Sequence, residues 1–277
     1  MNIINAILWA SEQCSYVSDS PRLDAEVLLA FSLNKESSYL RTWPERALTP
    51  EQIKHYQKLI QLRLKPTPIA YITGIKEFWS RDFKVNPSTL IPRPDTECLI
   101  ENSLDYLAEK IQPISILDLG TGSGCIAITL KKENSDYLVT ATDISPEALA
   151  VAKENAANHR ADIQFILSSW YNAIDQQKYD LIVSNPPYIR EDDNHLSMGD
   201  LPAEPISALT SGETGLDDIK IIALQAASHL NDGGCLIVEH GYDQEAEVYE
   251  IFMKAGFKQI QQFNDYNGQP RLTKGLF

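Results

Sequence analysis

The 277-residue sequence lacks the signatures of several protein classes. Its only four cysteines (Cys14, Cys98, Cys125 and Cys235) lie far apart and form no CxxC pair. Such spacing is typical of reduced cysteines in a cytoplasmic protein and gives no zinc-binding pattern. The five histidines show no metal-ligand spacing, and no GxSxG motif is present. The sequence therefore offers no support for a metal-dependent enzyme or a serine hydrolase.

Long apolar runs are also missing, and none approaches the length needed to span a bilayer. The N-terminus has no basic segment, and Glu12 interrupts its only apolar stretch, so we expect no signal peptide. Apolar residues make up 43% of the chain and charged residues 22%, which is typical of a globular protein. We therefore expect a folded cytoplasmic protein that does not bind membranes.

Positive charge is scarce, and the net charge of −14 is unevenly distributed. Residues 1–75 are close to neutral, so nearly all the excess negative charge lies in the remainder. An acidic surface is poorly suited to binding nucleic-acid phosphates. We therefore expect a basic protein partner and no direct binding of nucleic acid.

Residues 1–75 are predicted to form a small helical domain. Ser20 and Pro21 have the pattern of a helix start, and Thr49–Gln52 has that of a capping box. The helix that follows Ser20 is predicted to place these residues on its apolar face: Val27, Leu28 and Phe31.

Residues 76–90 are predicted to form a β-hairpin linker, and residues 91–277 a larger domain. In the latter, short apolar runs alternate with helical patterns, which predicts a doubly wound α/β sheet. The predicted strands are 114–119, 138–141, 163–167, 181–184 and 233–241, with two more in the tail.

A glycine-rich turn, Gly120-Thr121-Gly122-Ser123-Gly124, follows the first of these strands and precedes a helix. This arrangement is typical of nucleotide-cofactor sites, although the spacing is GxGxG rather than GxGxxG. Asp143, at the end of the next strand, can accept hydrogen bonds from both ribose hydroxyls or can simply cap the next helix. Trp170, after the third strand, can cover an adenine ring or pack in the core.

The most informative stretch is Asn185-Pro186-Pro187-Tyr188, which follows a buried strand. The prolines end strand pairing, so this segment is expected at a site mouth. The Asn185 side chain and the Pro186 carbonyl can accept both hydrogens of a planar NH2 group, and the Tyr188 ring can pack against its face. The alternative interpretation is a strand followed by an ordinary turn.

These two motifs together resemble the S-adenosylmethionine-dependent amino-methyltransferases. Four further segments narrow the resemblance to the bacterial release factor glutamine N5-methyltransferases, the PrmC/HemK family. They are Pro68–Gly74, Glu77–Trp79, Thr89–Glu97 and Glu204-Pro205.

The resemblance implies a class I methyltransferase fold, with a mostly parallel seven-stranded sheet and a helical N-terminal domain that binds the substrate. It also implies methylation of the glutamine in the Gly-Gly-Gln motif of class 1 peptide chain release factors by a monomeric enzyme, without a metal. The implied cofactor-binding residues are Gly120, Thr121, Gly122, Ser123, Gly124, Asp143, Trp170 and Asn185. The implied substrate-binding residues are Asn185, Pro186, Pro187 and Tyr188, with Asn185, Pro186 and Tyr188 as the catalytic ones.

Two positions depart from the family pattern. Members often have Asp where this chain has Ser169, and others have Arg-Phe where it has Pro202-Ala203. A nucleic-acid N6-adenine methyltransferase is the first rival, although no basic groove or target-recognition domain is visible. A non-catalytic binding module is the second alternative, but the intact glycine turn and the intact Asn-Pro-Pro-Tyr segment argue against it.

Overall fold

The computed structural model describes residues 1–65 and 67–277, which divide into two compact units. One is helical and the other is built around a β-sheet. The helical unit comprises Met1–Ile75 and Asn194–Ala203, and the sheet unit comprises Lys76–Asp193 and Glu204–Phe277.

Two helices of the first unit begin at residues whose side chains cap them. The Asn2 side chain accepts a hydrogen bond from the backbone of Asn5. The predicted capping box is present, with Thr49 and Gln52 each bonded to the other's backbone N–H. The helices are α1 (Ile3–Cys14), α2 (Pro21–Leu33), α3 (Ser37–Thr42), α4 (Pro50–Arg63) and α5 (Ile69–Thr73).

The buried face of helix α2 differs from the predicted one. Leu28 is fully buried, but Phe31 is 40% exposed, so the prediction is wrong for Phe31. The buried side chains of α2 include Ala25 and Leu29. Both faces have helical spacing, and the packing of α1 and α4 against α2 decides between them.

A buried arginine at the end of α4 holds several segments of the helical unit together. The Arg63 Nε donates to Asp24 Oδ2 at 2.7 Å, and its Nη1 donates to Asp200 Oδ1 at 2.9 Å. The sequence predicts that all of 91–277 belongs to one domain. The structure corrects this for Asn194–Ala203, since Asp200 ties that segment to the buried arginine of the helical unit.

The second unit begins with the predicted hairpin and continues with alternating strands and helices. Its strands are β1 (Ile75–Phe78), β2 (Arg81–Lys84), β3 (Ser115–Leu119), β4 (Leu138–Asp143), β5 (Gln164–Leu167), β6 (Tyr179–Ser184), β7 (Leu230–Glu239), β8 (Lys258–Asn264) and β9 (Pro270–Leu276). Its helices are α6 (Glu97–Leu107), α7 (Cys125–Glu133), α8 (Pro146–His159), α9 (Asp217–His229) and α10 (Glu245–Lys254). Short 3-10 helices cover Pro94–Thr96, Asn194–Ser197, Leu201–Ala203 and Ile206–Ala208.

The main sheet has, within the described residues, seven strands in the order β5, β4, β3, β6, β7, β9, β8. Strands β3 to β7 are parallel, and β9 runs antiparallel to both β7 and β8. The predicted seven-stranded, mostly parallel sheet is confirmed.

The central strands of this sheet are buried on both faces, which is why β6 is largely apolar, whereas the edge strands β5 and β8 are more exposed. In β6, Leu181 and Val183 belong to one core and Ile182 to the other. The first core includes Leu99 of α6 and Ile126 of α7, and the second includes Ile219 of α9 and Val248 of α10. Among the described helices, none is long and apolar enough to cross a bilayer.

Replacing Asp24 with alanine should lower the free energy of unfolding by about 3 kcal/mol, because Arg63 would stay buried without its main partner. Unfolding in denaturant, with hydrogen exchange to localise the effect to the helical unit, measures this. The matched control on the same helix is Glu26→Ala, which breaks the more exposed Arg22–Glu26 pair and should cost less than about 1 kcal/mol. Equal effects would show that Arg63 does not depend on Asp24.

Candidate active site

The carboxyl ends of β3, β4, β6 and β7 lie along one edge of the sheet, because these strands are parallel neighbours. The chain goes from β3 to β4 and β5 on one side and later fills the other side with β6 and β7. The topological switch point, where such sheets bind ligands, therefore lies between β3 and β6. The register pairs Leu119 with Ser184, so the glycine turn and Asn185 leave the sheet side by side.

The glycine turn after β3 needs glycine for conformation and for space. Gly120, Gly122 and Gly124 have φ values of 73°, 56° and 83°, in the left-handed region that other residues rarely adopt. A Cβ on Gly120 would lie 3.3 Å from the Trp170 ring. A Cβ on Gly122 would meet no described atom within 4 Å, so the turn is open to a ligand there.

Asp118, a buried carboxylate near the end of β3, is hydrogen-bonded to the glycine turn. Thr121 Oγ1 donates to Asp118 Oδ2 at 2.6 Å. Burial raises the pKa of Asp118 to about 7, although the hydrogen bond from Thr121 acts in the opposite direction. Asp118 thus fixes the turn, and the sequence analysis gave it no role of its own.

Asp143 ends β4 and faces the same turn. Its Oδ2 accepts from the Gly122 N–H at 2.8 Å, and its Oδ1 accepts from the Ser145 N–H at 2.9 Å. Burial raises the pKa of this carboxyl, and the backbone hydrogen bonds counteract the effect. Each oxygen has acceptor capacity for a second donor. Asp143 is therefore both a turn anchor and a potential ligand for hydroxyl groups.

The Trp170 indole forms another wall of the site. It packs over Gly120, and its Nε1 donates to Asp218 Oδ1 at 3.1 Å. The backbone of Trp170 has a positive φ of 49°, an uncommon conformation for a bulky residue. Ser169, one of the two departures from the family pattern, lines the same cavity.

A hydrogen-bonded chain connects two residues of the Asn-Pro-Pro-Tyr segment to a second buried carboxylate. Asn185 Nδ2 donates to Thr96 Oγ1 at 3.1 Å, and Thr96 Oγ1 donates to Glu239 Oε2 at 2.7 Å. The Tyr188 hydroxyl donates to Glu239 Oε1 at 3.2 Å, while its ring packs against the core on the side of α9 and α10. Pro186 is buried, and Asn185 and Pro187 line the cavity.

Two further polar side chains hold the backbone around the site. Buried Glu204 accepts from the Ile91 N–H at 2.9 Å and forms an ion pair with Arg93. Gln244 donates from Nε2 to the Tyr188 carbonyl at 2.9 Å. Pro202-Ala203, the other position that departs from the family pattern, lies in the helical unit.

These elements enclose a cavity of about 450 Å³ within the sheet unit. Its size suits a small organic ligand. The turn, a carboxylate and an indole are the groups that would bind, respectively, an extended chain, vicinal hydroxyls and an aromatic ring, so the site fits a nucleoside cofactor. Among the described residues, no group of three or more His, Cys, Asp or Glu is placed to hold a metal ion. The lining residues include Gly120, Thr121, Gly122, Ser123, Asp143, Ser168, Ser169, Trp170, Asn185, Pro187 and Asp218.

The sequence alone indicates no specific role for Thr96, Asp218 or Glu239. Glu239 has a detectable signal, since it ends the apolar strand β7 in the same way as Asp143 ends β4. Thr96 and Asp218 have none, because both lie near helix starts, where polar residues are ordinary.

Comparisons with known proteins agree with this architecture. The model of the "PrmC N-terminal domain" family matches residues 5–74, and that of the "Methyltransferase small domain" family matches residues 97–204. Two solved structures share the fold, namely a methyltransferase from Pyrococcus furiosus and the T. thermophilus 16S rRNA N2 methyltransferase RsmC in complex with AdoMet and guanosine. The first is 17% identical, with a TM-score of 0.53, and covers 79% of this chain and 96% of that one. The second is 15% identical, with a TM-score of 0.55, and covers 73% of this chain and 49% of that one.

Curated relatives named release factor glutamine methyltransferase match almost the whole chain. The protein from Vibrio cholerae is 48% identical over 94% of this chain and 91% of its own length. Those from Shewanella oneidensis and Escherichia coli are each 42% identical, covering 99% and 97% of this chain and 95% and 98% of their own lengths. Identity at this level over the full length means that the chain belongs to the release factor glutamine methyltransferase family.

Proposed function

We propose that this protein transfers a methyl group from S-adenosyl-L-methionine to a glutamine side-chain nitrogen, N5, in the Gly-Gly-Gln motif of class 1 peptide chain release factors. It would thereby act in translation termination. The observation that carries the proposal is the adjacency of Asn185 and the glycine turn at one cavity, in a chain of this family.

The cofactor would be held mainly by residues that line that cavity. The turn Gly120–Gly124, of which all but Gly124 line the cavity, would lie against its methionine and ribose parts, and Asp143 would accept hydrogen bonds from the ribose hydroxyls. Trp170 would flank the adenine, with the Ser169 hydroxyl available where other members have a carboxylate. When bound, S-adenosyl-L-methionine supplies a methyl group on a sulfonium, which is already a strong electrophile.

The substrate amide would be held by the segment after β6. Asn185 Oδ1 and the Pro186 carbonyl accept its two hydrogens, and Pro187 lines the cavity beside them. Tyr188, whose ring packs against the core, supports the segment through its hydrogen bond to Glu239. An amide nitrogen is a poor nucleophile because its lone pair is delocalised. Acceptors that grip both hydrogens favour the pyramidal geometry of the transition state over the planar ground state. No base is needed before attack, and the surplus proton leaves afterwards, so catalysis is mainly alignment.

The proposal assigns binding of the release factor to residues 1–75, a linker role to the hairpin at 76–90, and methyl transfer to 91–277 apart from Asn194–Ala203. The match of residues 5–74 to a family-specific N-terminal domain supports the first assignment. The charge of −14 supports a basic protein partner rather than nucleic acid. The enzyme is proposed to act as a monomer in the cytoplasm.

The direct test offers methyl-labelled S-adenosyl-L-methionine together with a purified release factor, its Gly-Gly-Gln→Gly-Gly-Ala variant, tRNA or DNA. Label should enter only the unmodified release factor, because only that substrate carries the glutamine amide. Label on tRNA or DNA would overturn the protein substrate while leaving amino methylation intact.

Replacing Asn185 with alanine should lower turnover by about 100-fold or more, since one of the two acceptors for the amide hydrogens is lost. Cofactor binding, measured by calorimetry, should survive. Asn172→Ala, at an exposed asparagine, is the matched control and should retain full turnover. An active Asn185→Ala enzyme would remove this residue from the mechanism.

Replacing Asp143 with alanine should weaken S-adenosyl-L-methionine binding by about 10- to 100-fold, because a carboxylate acceptor for hydroxyls is lost and the turn loses its anchor at Gly122. Titration calorimetry measures the affinity directly. Exposed Asp136→Ala provides the control of equal charge change. Unchanged affinity in Asp143→Ala would rule out the ribose role.

A further inference from the structure

The Asn185 side chain can act as an acceptor only if its amide is held in one of two orientations. An asparagine amide has a carbonyl at one end and an NH2 group at the other, and rotation by half a turn exchanges them. With the carbonyl toward the substrate, it accepts an amide hydrogen. With the NH2 group there, it repels the same hydrogen. Some neighbouring group must therefore select the orientation.

The direction of the hydrogen bonds around Glu239 makes this selection. An ionised carboxylate only accepts, so Glu239 takes the hydroxyl hydrogens of both Thr96 and Tyr188. Thr96 has a single hydroxyl hydrogen, and once it is donated to Glu239 only lone pairs face Asn185. Asn185 must then turn Nδ2 toward Thr96, as observed at 3.1 Å. Its Oδ1 is left to accept from the substrate.

Protonation of Glu239 would weaken this selection. A protonated carboxyl carries a donor that can point to Thr96, whose own hydrogen can then turn toward Asn185 and favour the opposite amide orientation. Such a reversal leaves every member of this chain hydrogen-bonded. The orientation of Asn185 is thus linked to the charge on Glu239.

The charges around Glu239 place its titration close to neutral pH. Glu239 is 1% exposed, and burial raises its pKa to about 7. Arg271 on β9 and the hydrogen bonds from Thr96 and Tyr188 act to lower this pKa, and Asp95 acts to raise it. Cys125 on α7 also faces the carboxylate, but burial keeps its thiol neutral by raising its pKa to about 12.

We propose that Glu239 and Thr96 are positioning residues that orient the Asn185 amide, with its carbonyl toward the glutamine to be methylated. The inference rests on the proposed function and deepens it. Neither residue need touch the reacting atoms, because the effect passes through two hydrogen bonds.

The test compares kcat at saturating cofactor and release factor, from pH 5.5 to 8.5, for wild type, Thr96→Val, Thr96→Ser and Glu239→Gln, with cofactor affinity measured alongside. Wild-type kcat should rise with pH through about 7 as Glu239 ionises. Thr96→Val should lose about 10- to 100-fold in kcat, since it cannot accept from Asn185. Thr96→Ser should recover most of this loss. Glu239→Gln, which is permanently neutral and carries a donor, should lose about tenfold at pH 8 and show no rise near pH 7.

Thr129→Val is the matched control for a buried threonine, since Thr129 is fully buried on α7 and its hydroxyl has no hydrogen-bond partner among the described residues. It should keep wild-type kcat and pH dependence. Asp118 also titrates near pH 7, but its turn supports the cofactor, so its ionisation should alter cofactor affinity rather than kcat at saturation.

Wild-type kcat in Thr96→Val, or an unchanged rise near pH 7 in Glu239→Gln, would overturn the inference while leaving methyl transfer established. A wild-type enzyme that does not methylate the release factor at any pH would instead overturn the proposed function.

Discussion

The site depends on the end of β6, where Pro186 and Pro187 stop backbone pairing. Neither residue can donate a hydrogen bond to a neighbouring strand, so the chain must leave the sheet after Asn185. Because β6 lies between β3 and β7, it leaves where their carboxyl ends also lie. The end of strand pairing at the two prolines thus places Asn185 beside the glycine turn. There, two hydrogen bonds through Thr96 connect Asn185 to Glu239.

The same edge of the sheet holds three carboxylates that burial makes costly to ionise: Asp118, Asp143 and Glu239. A buried carboxylate is costly unless it is hydrogen-bonded, and each of these three accepts a hydrogen bond from a group that shapes the site. Asp118 binds the Thr121 hydroxyl, Asp143 the turn backbone, and Glu239 the hydroxyls of Thr96 and Tyr188. Their common physical role is to fix the direction of neighbouring donors and acceptors, which is what a reaction controlled by alignment requires.

The helical unit is held together by interactions of its own. It has its own apolar core and a buried ion pair between Arg63 and Asp24, and it includes a segment from the loop that follows the Asn-Pro-Pro-Tyr motif. A charged group in that position favours one arrangement of the surrounding segments because any other would leave it buried without a partner. The anchoring of Asn194–Ala203 therefore belongs to the packing of the helical unit, although the segment lies between β6 and α9 in the sequence.

The strands, the capping box, the glycine turn and the end of β6 are predictable from the sequence, because each depends on burial patterns and turn chemistry within a few neighbouring residues. Three features depend on long-range packing and are visible only in the folded protein: the buried face of α2, the place of Asn194–Ala203 and the hydrogen-bonded chain from Asn185 through Thr96 to Glu239. Thr96 is 89 residues from Asn185 and 143 from Glu239, and no local pattern records such a contact. The register of parallel strands and the packing of helices bring these side chains together. The sequence therefore indicates Asn185 at the end of a strand, but not the hydrogen bonds that orient its amide.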